Sequence, residues 1–105
     1  MFFQNARIFT PDFHFHLGAF QVENGIFTQV LAQNVPEDAI DLHGATVIPG
    51  LIDVHHHGNS NADFSDGDYE GLKRMAKYLA GVGVTSFAPA SMTLPYDVLE
   101  KAFAT

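Results

Sequence analysis

The second half of the chain alternates between strand and helix patterns, and this alternation limits the folds that the chain can adopt. Residues 51–57 and 84–90 are short apolar stretches typical of strands. Between them, apolar residues recur at helical spacing: Leu72, Met75, Ala76, Leu79 and Ala80. Strands joined by a helix run parallel with a right-handed crossover, and residues 84–90 lack the polar alternation of a half-exposed strand. We therefore predict an α/β fold with a parallel sheet buried on both faces.

Capping signals suggest where two helices begin. Ser65 is followed three residues later by Asp68, which resembles the capping box at the start of the first helix. Thr93 is placed to cap a last helix, with Pro95 in the first turn. The apolar side of that helix would consist of Val98, Leu99, Ala102 and Phe103.

The first half of the chain has strand patterns and no helix pattern. Phe13, Phe15 and Leu17 alternate with His14 and His16, which predicts a half-buried strand. Up to about residue 47 we expect mainly antiparallel strands.

A hairpin is predicted within residues 20–31. Asn24-Gly25 is a strong signal for a two-residue turn, because both central residues of a type I′ turn need positive φ. A turn at this position would place Val22 opposite Phe27.

The length of the chain does not suffice for a closed α/β barrel. The chain has 105 residues, and two strand–helix units cannot close a sheet. A complete (β/α)₈ barrel needs about 250 residues. We therefore expect the chain to be a truncated part of a larger protein.

Charge and composition exclude several classes of function. The chain carries 5 Lys and Arg against 12 Asp and Glu, for a net charge of −7, which disfavours nucleic acids and anionic membranes as partners. It has no cysteine, so disulfides and thiolate metal sites are excluded. We find no signal peptide and no run of about 18 apolar residues, and we expect a cytoplasmic protein. Phosphate-binding glycine loops and the serine-hydrolase motif are also absent from the sequence, so no cofactor-binding residue of that kind is predicted.

His55 and His57 are the candidate metal ligands. On a strand, alternate residues share a face, so Asp53, His55 and His57 would point one way. The Cα atoms of two alternate residues lie about 7 Å apart, from a rise of roughly 3.3 Å per residue. Two imidazoles at that spacing can converge on one Zn²⁺. They would lie at the carboxyl end of a strand, where α/β barrels build their sites, and Gly58 would let the chain turn over the site.

Other histidines and acidic residues have simpler interpretations. Three consecutive histidines can also be a solvated strand end. His56 would face the opposite side of the strand and is predicted to be structural, while Asp53 could orient a ligand or make an interior hydrogen bond. His14 and His16 are interpreted as solvent-facing. The acidic cluster is interpreted as complementing a helix dipole; it comprises Asp63, Asp66, Asp68 and Glu70.

Two stretches of the chain resemble the amidohydrolase superfamily. Residues 49–58, PGLIDVHHHG, are similar to the first barrel strand of that superfamily, which reads P-G-x-I-D-x-H-x-H-G. Residues 40–44, IDLHG, and Val47 resemble the small β-sandwich that precedes the barrel. Within the superfamily, residues 83–89, GVTSFAP, and the spacing from Gly58 to the first helix are similar to the N-acetylglucosamine-6-phosphate deacetylases.

The resemblance implies a fold and an arrangement of domains. Residues 1–48 would form a β-sandwich portion of a composite urease-like domain. Residues 49–105 would form the first two βα units of a metal-dependent-hydrolase (β/α)₈ TIM barrel, left incomplete.

The resemblance also implies an activity for the full-length parent. That activity is the metal-dependent hydrolysis of the N-acetyl group of N-acetylglucosamine 6-phosphate, which gives glucosamine 6-phosphate and acetate. The bond that is cleaved is a non-peptide amide bond. His55 and His57 match the first-strand ligands of a divalent metal, with zinc the expected ion. The acid/base aspartate and the remaining ligands belong to later strands, so no catalytic residue is assigned within this chain. The expected partners are an amino-sugar phosphate substrate and further copies of the protein in a homo-oligomer.

Two alternatives stay open at this point. The parent could be another amidohydrolase, such as a dihydroorotase-like or aminoacylase-like enzyme. The chain could also be a non-catalytic α/β module whose histidines bind metal adventitiously.

Overall fold

The chain divides into two units, and the first is a five-stranded sheet. The structure is a computed structural model that describes all residues 1–105. The first unit covers Met1–Pro49. Its strands are β1 (Phe2–Phe9), β2 (Phe15–Glu23), β3 (Ile26–Val30), β4 (Ile40–Asp41) and β5 (Thr46–Val47). The sheet order is β3-β2-β1-β4, and β5 also pairs with β1.

The predicted hairpin is confirmed. β2 and β3 are antiparallel, and Val22 lies opposite Phe27. Asn24 and Gly25 both have positive φ, 50° and 77°, as the two-residue turn requires.

The expectation of mainly antiparallel pairing is only partly correct. β1 pairs with β2 antiparallel, but both short strands β4 and β5 pair with β1 in parallel. The chain returns from β3 through a long loop before it forms β4, so β4 can run in the same direction as β1. A connection of this length permits parallel pairing, which a tight hairpin cannot make.

The core of the first unit lies on β1 and the second half of β2. Ala6, Ile8 and Phe20 are buried at its centre, and the Phe3 ring stacks on Phe20 with centroids 4.8 Å apart. The remaining apolar residues packed against this core are Val22, Leu31, Leu42 and Val47.

The half-buried face predicted from the start of β2 is wrong. Phe13 is 82% exposed and Leu17 78% exposed. Phe15 packs instead beside Phe9, with ring centroids 5.2 Å apart, and under the guanidinium of Arg7. These aromatic rings therefore contact one another at the turn between β1 and β2 and do not pack on the core.

The second unit covers Gly50–Thr105 and contains two parallel strands with a helix between them. Its strands are β6 (Leu51–His56), β7 (Gly58–Asn59), β8 (Ala62–Asp63) and β9 (Val84–Pro89). Its helices are α1 (Tyr69–Gly81) and α2 (Tyr96–Phe103), and a 3₁₀ turn spans Phe64–Asp66. The predicted order strand, helix, strand, helix is confirmed, as is the parallel pairing of β6 with β9. Neither helix is long and apolar enough to cross a membrane.

The buried stripe of α1 follows the predicted spacing only in part. Met75 is fully buried and Leu79 is 5% exposed, whereas Ala80 is exposed. Gly71 is the third buried residue of the helix. The packed face of α1 is therefore narrower than the apolar pattern suggested.

The expectation that β9 is buried on both faces is wrong for this chain. Thr85, Ser86, Ala88 and Pro89 are all exposed. β9 pairs only with β6, so one edge of the strand and much of its surface have no covering element.

The predicted caps of both helices also differ from the structure. Asp68, not Ser65, caps α1, because its side chain accepts a hydrogen bond from the Glu70 backbone N–H. Ser65 lies within the 3₁₀ turn that precedes α1. Pro95, not Thr93, precedes α2 and makes no side-chain cap.

Candidate metal site at the end of strand β6

Two imidazoles meet beyond the carboxyl end of β6. The Nε2 atoms of His55 and His57 lie 3.1 Å apart, and the rings are edge to face with centroids 4.8 Å apart. Both sequence-predicted ligands are therefore brought to one point by the structure.

A backbone carbonyl fixes the orientation of one imidazole. His57 Nδ1 lies 2.8 Å from the carbonyl oxygen of Ala90, directly after β9. A carbonyl oxygen can only accept, so Nδ1 carries the proton and a neutral ring leaves Nε2 with a free lone pair. This arrangement, a ligand imidazole that donates its other N–H to a backbone carbonyl, is common at metal sites.

The spacing of the two nitrogens fits a shared ion. With Zn–N bonds of about 2.0–2.1 Å and a tetrahedral angle, two ligand nitrogens lie about 3.3 Å apart. The observed 3.1 Å between His55 Nε2 and His57 Nε2 is close to that value. No group of three or more His, Cys, Asp or Glu side chains in the chain is arranged to hold a metal ion. A tetrahedral ion shared by His55 and His57 would therefore need further ligands.

Gly58 allows the chain to turn tightly after the second histidine. A Cβ atom on Gly58 would lie 2.3 Å from the carbonyl oxygen of Ala62, so a larger residue does not fit there. The turn leads into a hairpin of β7 and β8, and the Phe64 backbone N–H closes it on the His57 carbonyl at 2.8 Å.

Strict alternation along β6 is broken, which corrects the predicted faces. Between Asp53 and His56 the strand advances three residues, whereas β9 advances two, from Phe87 to Pro89. This extra residue is a β-bulge, and it places residues three apart on one side. His56 Nδ1 accordingly lies 2.9 Å from Asp53 Oδ2, so Asp53 does not share a face with the two candidate ligands.

The carboxylate of Asp53 is a hydrogen-bond acceptor for two groups of its own strand. One oxygen accepts from the His55 backbone N–H at 3.1 Å, and the other faces the His56 ring. The backbone N–H of His55 holds the pKa of Asp53 below its ordinary value, with the His56 hydrogen bond as a smaller cause, while partial desolvation opposes them. Asp53 is therefore a hydrogen-bond acceptor for its own strand, with a side chain that remains 32% exposed.

Asn59 connects this strand end to α1, and sequence reasoning did not single it out. Its Nδ2 lies 2.8 Å from His56 Nε2 and donates to the Met75 carbonyl at 3.4 Å. Its Oδ1 is buried without a partner. The orientation of the amide is set by its donor contacts, because the Met75 carbonyl can only accept. Its position two residues after the last histidine was the only available signal.

His56 points away from the His55–His57 contact, as predicted. Its ring lies edge to face with Phe87, with centroids 5.8 Å apart. It is enclosed by Asp53, Asn59 and Phe87 and takes no part in the His55–His57 contact.

His14 and His16, the second histidine pair, belong to a local turn that Asp12 holds together. Asp12 accepts hydrogen bonds from Thr10 Oγ1 and the His14 backbone N–H, and Asp12 Oδ2 lies 2.7 Å from His16 Nε2. The Thr10 hydroxyl, followed by His16 and the His14 N–H, holds the pKa of Asp12 well below its ordinary value. His14 is exposed and His16 is 42% exposed at its side chain.

The acidic cluster lies at two helix starts. Asp63 and Asp66 form a capping box on the 3₁₀ turn, and Asp68 caps α1. Glu70 pairs with Lys73 at 3.0 Å. The interpretation as charges that complement helix starts is confirmed.

Comparison with known proteins identifies relatives over most of the chain. No protein-family model matches it. A protein of Vibrio furnissii named N-acetylglucosamine-6-phosphate deacetylase is 39% identical over 67 residues, which is 64% of this chain and 17% of that protein. A protein of the same name from Lysinibacillus sphaericus is 34% identical over 77 residues, 73% of this chain and 19% of the relative. The chain therefore spans less than a fifth of the length of these relatives.

A solved structure agrees with the sequence relatives. The crystal structure of N-acetylglucosamine-6-phosphate deacetylase from Pasteurella multocida matches 98% of this chain and 28% of that protein, with a TM-score of 0.88 and 29% identity. The mixed α/β, strand-rich fold of this chain is thus the fold of the matched part of that enzyme. By sequence and by fold, the chain belongs to the N-acetylglucosamine-6-phosphate deacetylase family.

Proposed function

We propose that this chain is the N-terminal part of an enzyme that deacetylates N-acetylglucosamine 6-phosphate. The products would be glucosamine 6-phosphate and acetate, from hydrolysis of a non-peptide amide bond. The observation that carries the proposal is the convergence of His55 Nε2 and His57 Nε2 at 3.1 Å beyond the end of β6. The names of the relatives support the choice of substrate.

The proposal assigns the two units to parts of a larger architecture. Residues 1–48 would be the β-sandwich portion of a composite urease-like domain, and residues 49–105 the first two βα units of a (β/α)₈ barrel. The parallel pair β6–β9 with α1 between the strands supports the second assignment.

His55 and His57 would hold a divalent metal ion, with zinc favoured by two neutral imidazole ligands. Such an ion polarises an amide carbonyl and lowers the pKa of a bound water. The contribution of this chain is to hold the two rings: Ala90 keeps the His57 lone pair at Nε2, and Gly58 allows the chain to turn away from the site.

The chain by itself should not catalyse the reaction. Two imidazoles leave a tetrahedral site half filled, and the structure gathers no third ligand near them. Protonation of the departing amine needs a general acid, and no residue of this chain is assigned that role. In the proposal, other segments of a cytoplasmic homo-oligomeric enzyme supply these groups and the contacts to the sugar phosphate, and neither nucleic acid nor membrane is a partner.

A substrate comparison on the intact enzyme tests the proposal. Purified protein that includes this chain, loaded with zinc, is assayed for product from N-acetylglucosamine 6-phosphate, from N-acetyl amino acids and from cyclic amides. We expect acetate release from the sugar phosphate at a kcat/KM well above that for the other two classes. Preferential turnover of a cyclic amide or an N-acetyl amino acid would favour the dihydroorotase-like or aminoacylase-like alternative. No turnover of any amide would support the non-catalytic alternative.

A further inference from the structure

A hydrogen-bonded chain of three side chains lies behind the two candidate ligands. It runs from Asn59 to His56 and on to Asp53, with distances of 2.8 Å and 2.9 Å. His56 is the central member, and its side chain is only 15% exposed.

The direction of each hydrogen bond follows from the end groups. Asn59 Nδ2 donates to His56 Nε2, so a neutral His56 carries its proton on Nδ1 and donates it to the Asp53 carboxylate. The Asp53 carboxylate also accepts the backbone N–H of His55. Asp53 therefore accepts hydrogen bonds from the backbone of His55, a candidate ligand, and from the ring of His56.

This chain of hydrogen bonds spans the bulge of β6. The bulge lies between Asp53 and His56, where β6 has one more residue than β9. Bulges lose regular ladder bonds and re-aim side chains, so other contacts must hold their shape. At one end of the bulge, the contacts of Asp53 hold the backbone. At the other end, His56 is bonded to Asn59, which donates to the Met75 carbonyl of α1.

We propose that His56 is a positioning residue that holds the bulge in the shape that brings His55 and His57 together. The inference rests on the proposed function in treating that pair as the metal ligands. The hydrogen bond to Asp53 is the essential contact, because Asp53 also holds the backbone of His55. Loss of a comparable supporting contact at metal sites lowers metal affinity about 10–100-fold.

Two near-matched variants separate the contacts of His56. In His56→Asn the amide nitrogen is the same number of bonds from Cα as Nδ1, so the hydrogen bond to Asp53 can be kept. In His56→Gln the amide lies one bond further from Cα. It can therefore reach Asn59, but it cannot reproduce the hydrogen bond that Nδ1 makes to Asp53. His56→Leu keeps the volume of the side chain and removes both contacts.

The first readout needs no metal. Long-range ¹H–¹⁵N spectra of the intact enzyme, stripped of metal, report which ring nitrogens carry protons. We expect single tautomers in the wild type, Nδ1–H for His57 and Nε2–H for His55, and in His56→Asn. In His56→Gln and His56→Leu we expect averaged shifts for the His55 ring, which depends on its contact with His57, while His57 keeps Nδ1–H through the Ala90 carbonyl. Fixed tautomers in all variants would overturn the positioning role.

The second readout is zinc affinity, measured by competition with a chromophoric chelator on variants of the intact enzyme shown by circular dichroism to be folded. We expect affinity about 10–100-fold lower for His56→Gln and His56→Leu, and within a few-fold of wild type for His56→Asn. Wild-type affinity in His56→Gln, or equal losses in His56→Asn and His56→Gln, would overturn the proposal. Should His56→Leu fail to fold, the Asn and Gln pair decides.

A separate outcome addresses the proposed function. If His55→Ala and His57→Ala retain wild-type zinc affinity, the assignment of the metal ligands is wrong. The tautomer spectra would still decide whether His56 positions the two rings.

Discussion

His57, which follows β6, and Ala90, which follows β9, are joined by a hydrogen bond of 2.8 Å from ring Nδ1 to backbone carbonyl. The backbone N–H of Ala90 in turn donates to the His56 carbonyl at 2.9 Å. The two strand ends are therefore held together on both sides of Ala90. This contact sets the tautomer of the ring and leaves the lone pair on Nε2, the atom that lies 3.1 Å from His55 Nε2.

Replacement of Gly58 by alanine should destabilise the chain. The new Cβ would lie 2.3 Å from the Ala62 carbonyl oxygen, a backbone atom that cannot move without distorting the β7–β8 hairpin. We expect a loss of about 1–3 kcal/mol in the free energy of unfolding, measured by urea denaturation.

Gly81→Ala is the matched control for that substitution. Gly81 is the last residue of α1, and a Cβ there meets no atom within 4 Å. Alanine in a helix is more stable than glycine by about 0.5–1 kcal/mol, so this variant should be slightly stabilised. Equal stability of the two variants would mean that the hairpin does not approach Gly58 as closely as described.

The Asp12 turn should make the first unit sensitive to acid. The pKa of Asp12 is lower in the folded chain than its ordinary value of 3.8, chiefly because of the Thr10 hydroxyl. The unfolded chain therefore takes up this proton first as the pH falls, and the contribution of Asp12, fully present above pH 3.8, is lost below it. We expect the fall in Tm between pH 5 and pH 3 to be smaller in Asp12→Asn than in the wild type.

Asp38→Asn serves as the comparison for Asp12→Asn. Asp38 is an exposed carboxyl in the loop before β4. Its variant should show the wild-type dependence of Tm on pH. If Asp12→Asn shows it as well, the ionised Asp12 carboxylate does not stabilise the folded chain.

The exposed side of β6 should promote association of the isolated chain. Ile52 is 70% exposed and Val54 77% exposed. Apolar side chains beside an open strand edge favour pairing with another chain. Light scattering should detect species larger than a monomer in the wild type and fewer of them in the double variant Ile52→Thr, Val54→Thr, which retains β-branched residues. A wild-type chain that stays monomeric, or a double variant that associates as strongly, would contradict this expectation.

Local signals in the sequence were sufficient for the regular elements. Asn24-Gly25 specified the β2–β3 hairpin and its register, because few residues accept positive φ at both turn positions. The apolar spacing around Met75 and Leu79 specified α1, because a helix buries residues at that period. The pair His55 and His57 could be predicted to share a face, since a spacing of two residues keeps side chains together along a strand.

The features that depend on tertiary contacts could not be predicted. The bulge between Asp53 and His56 exists only relative to β9, and no local pattern marks the extra residue. The turn at Ser60-Asn61 requires positive φ, 54° and 55°, at two residues with a weaker preference for it than Asn-Gly. Phe13 is exposed because it contacts the Phe9 ring at the turn between β1 and β2 and does not pack on the core. The alternation of apolar and polar residues does not reveal this contact.

The most direct test of the account measures metal content and deacetylation on the same preparations of the intact enzyme. We predict that His55→Ala and His57→Ala each lower zinc content and the rate of acetate release together, whereas His14→Ala, changed at an exposed histidine of the Asp12 turn, alters neither. Wild-type zinc content and wild-type deacetylation in both His55→Ala and His57→Ala would contradict the account.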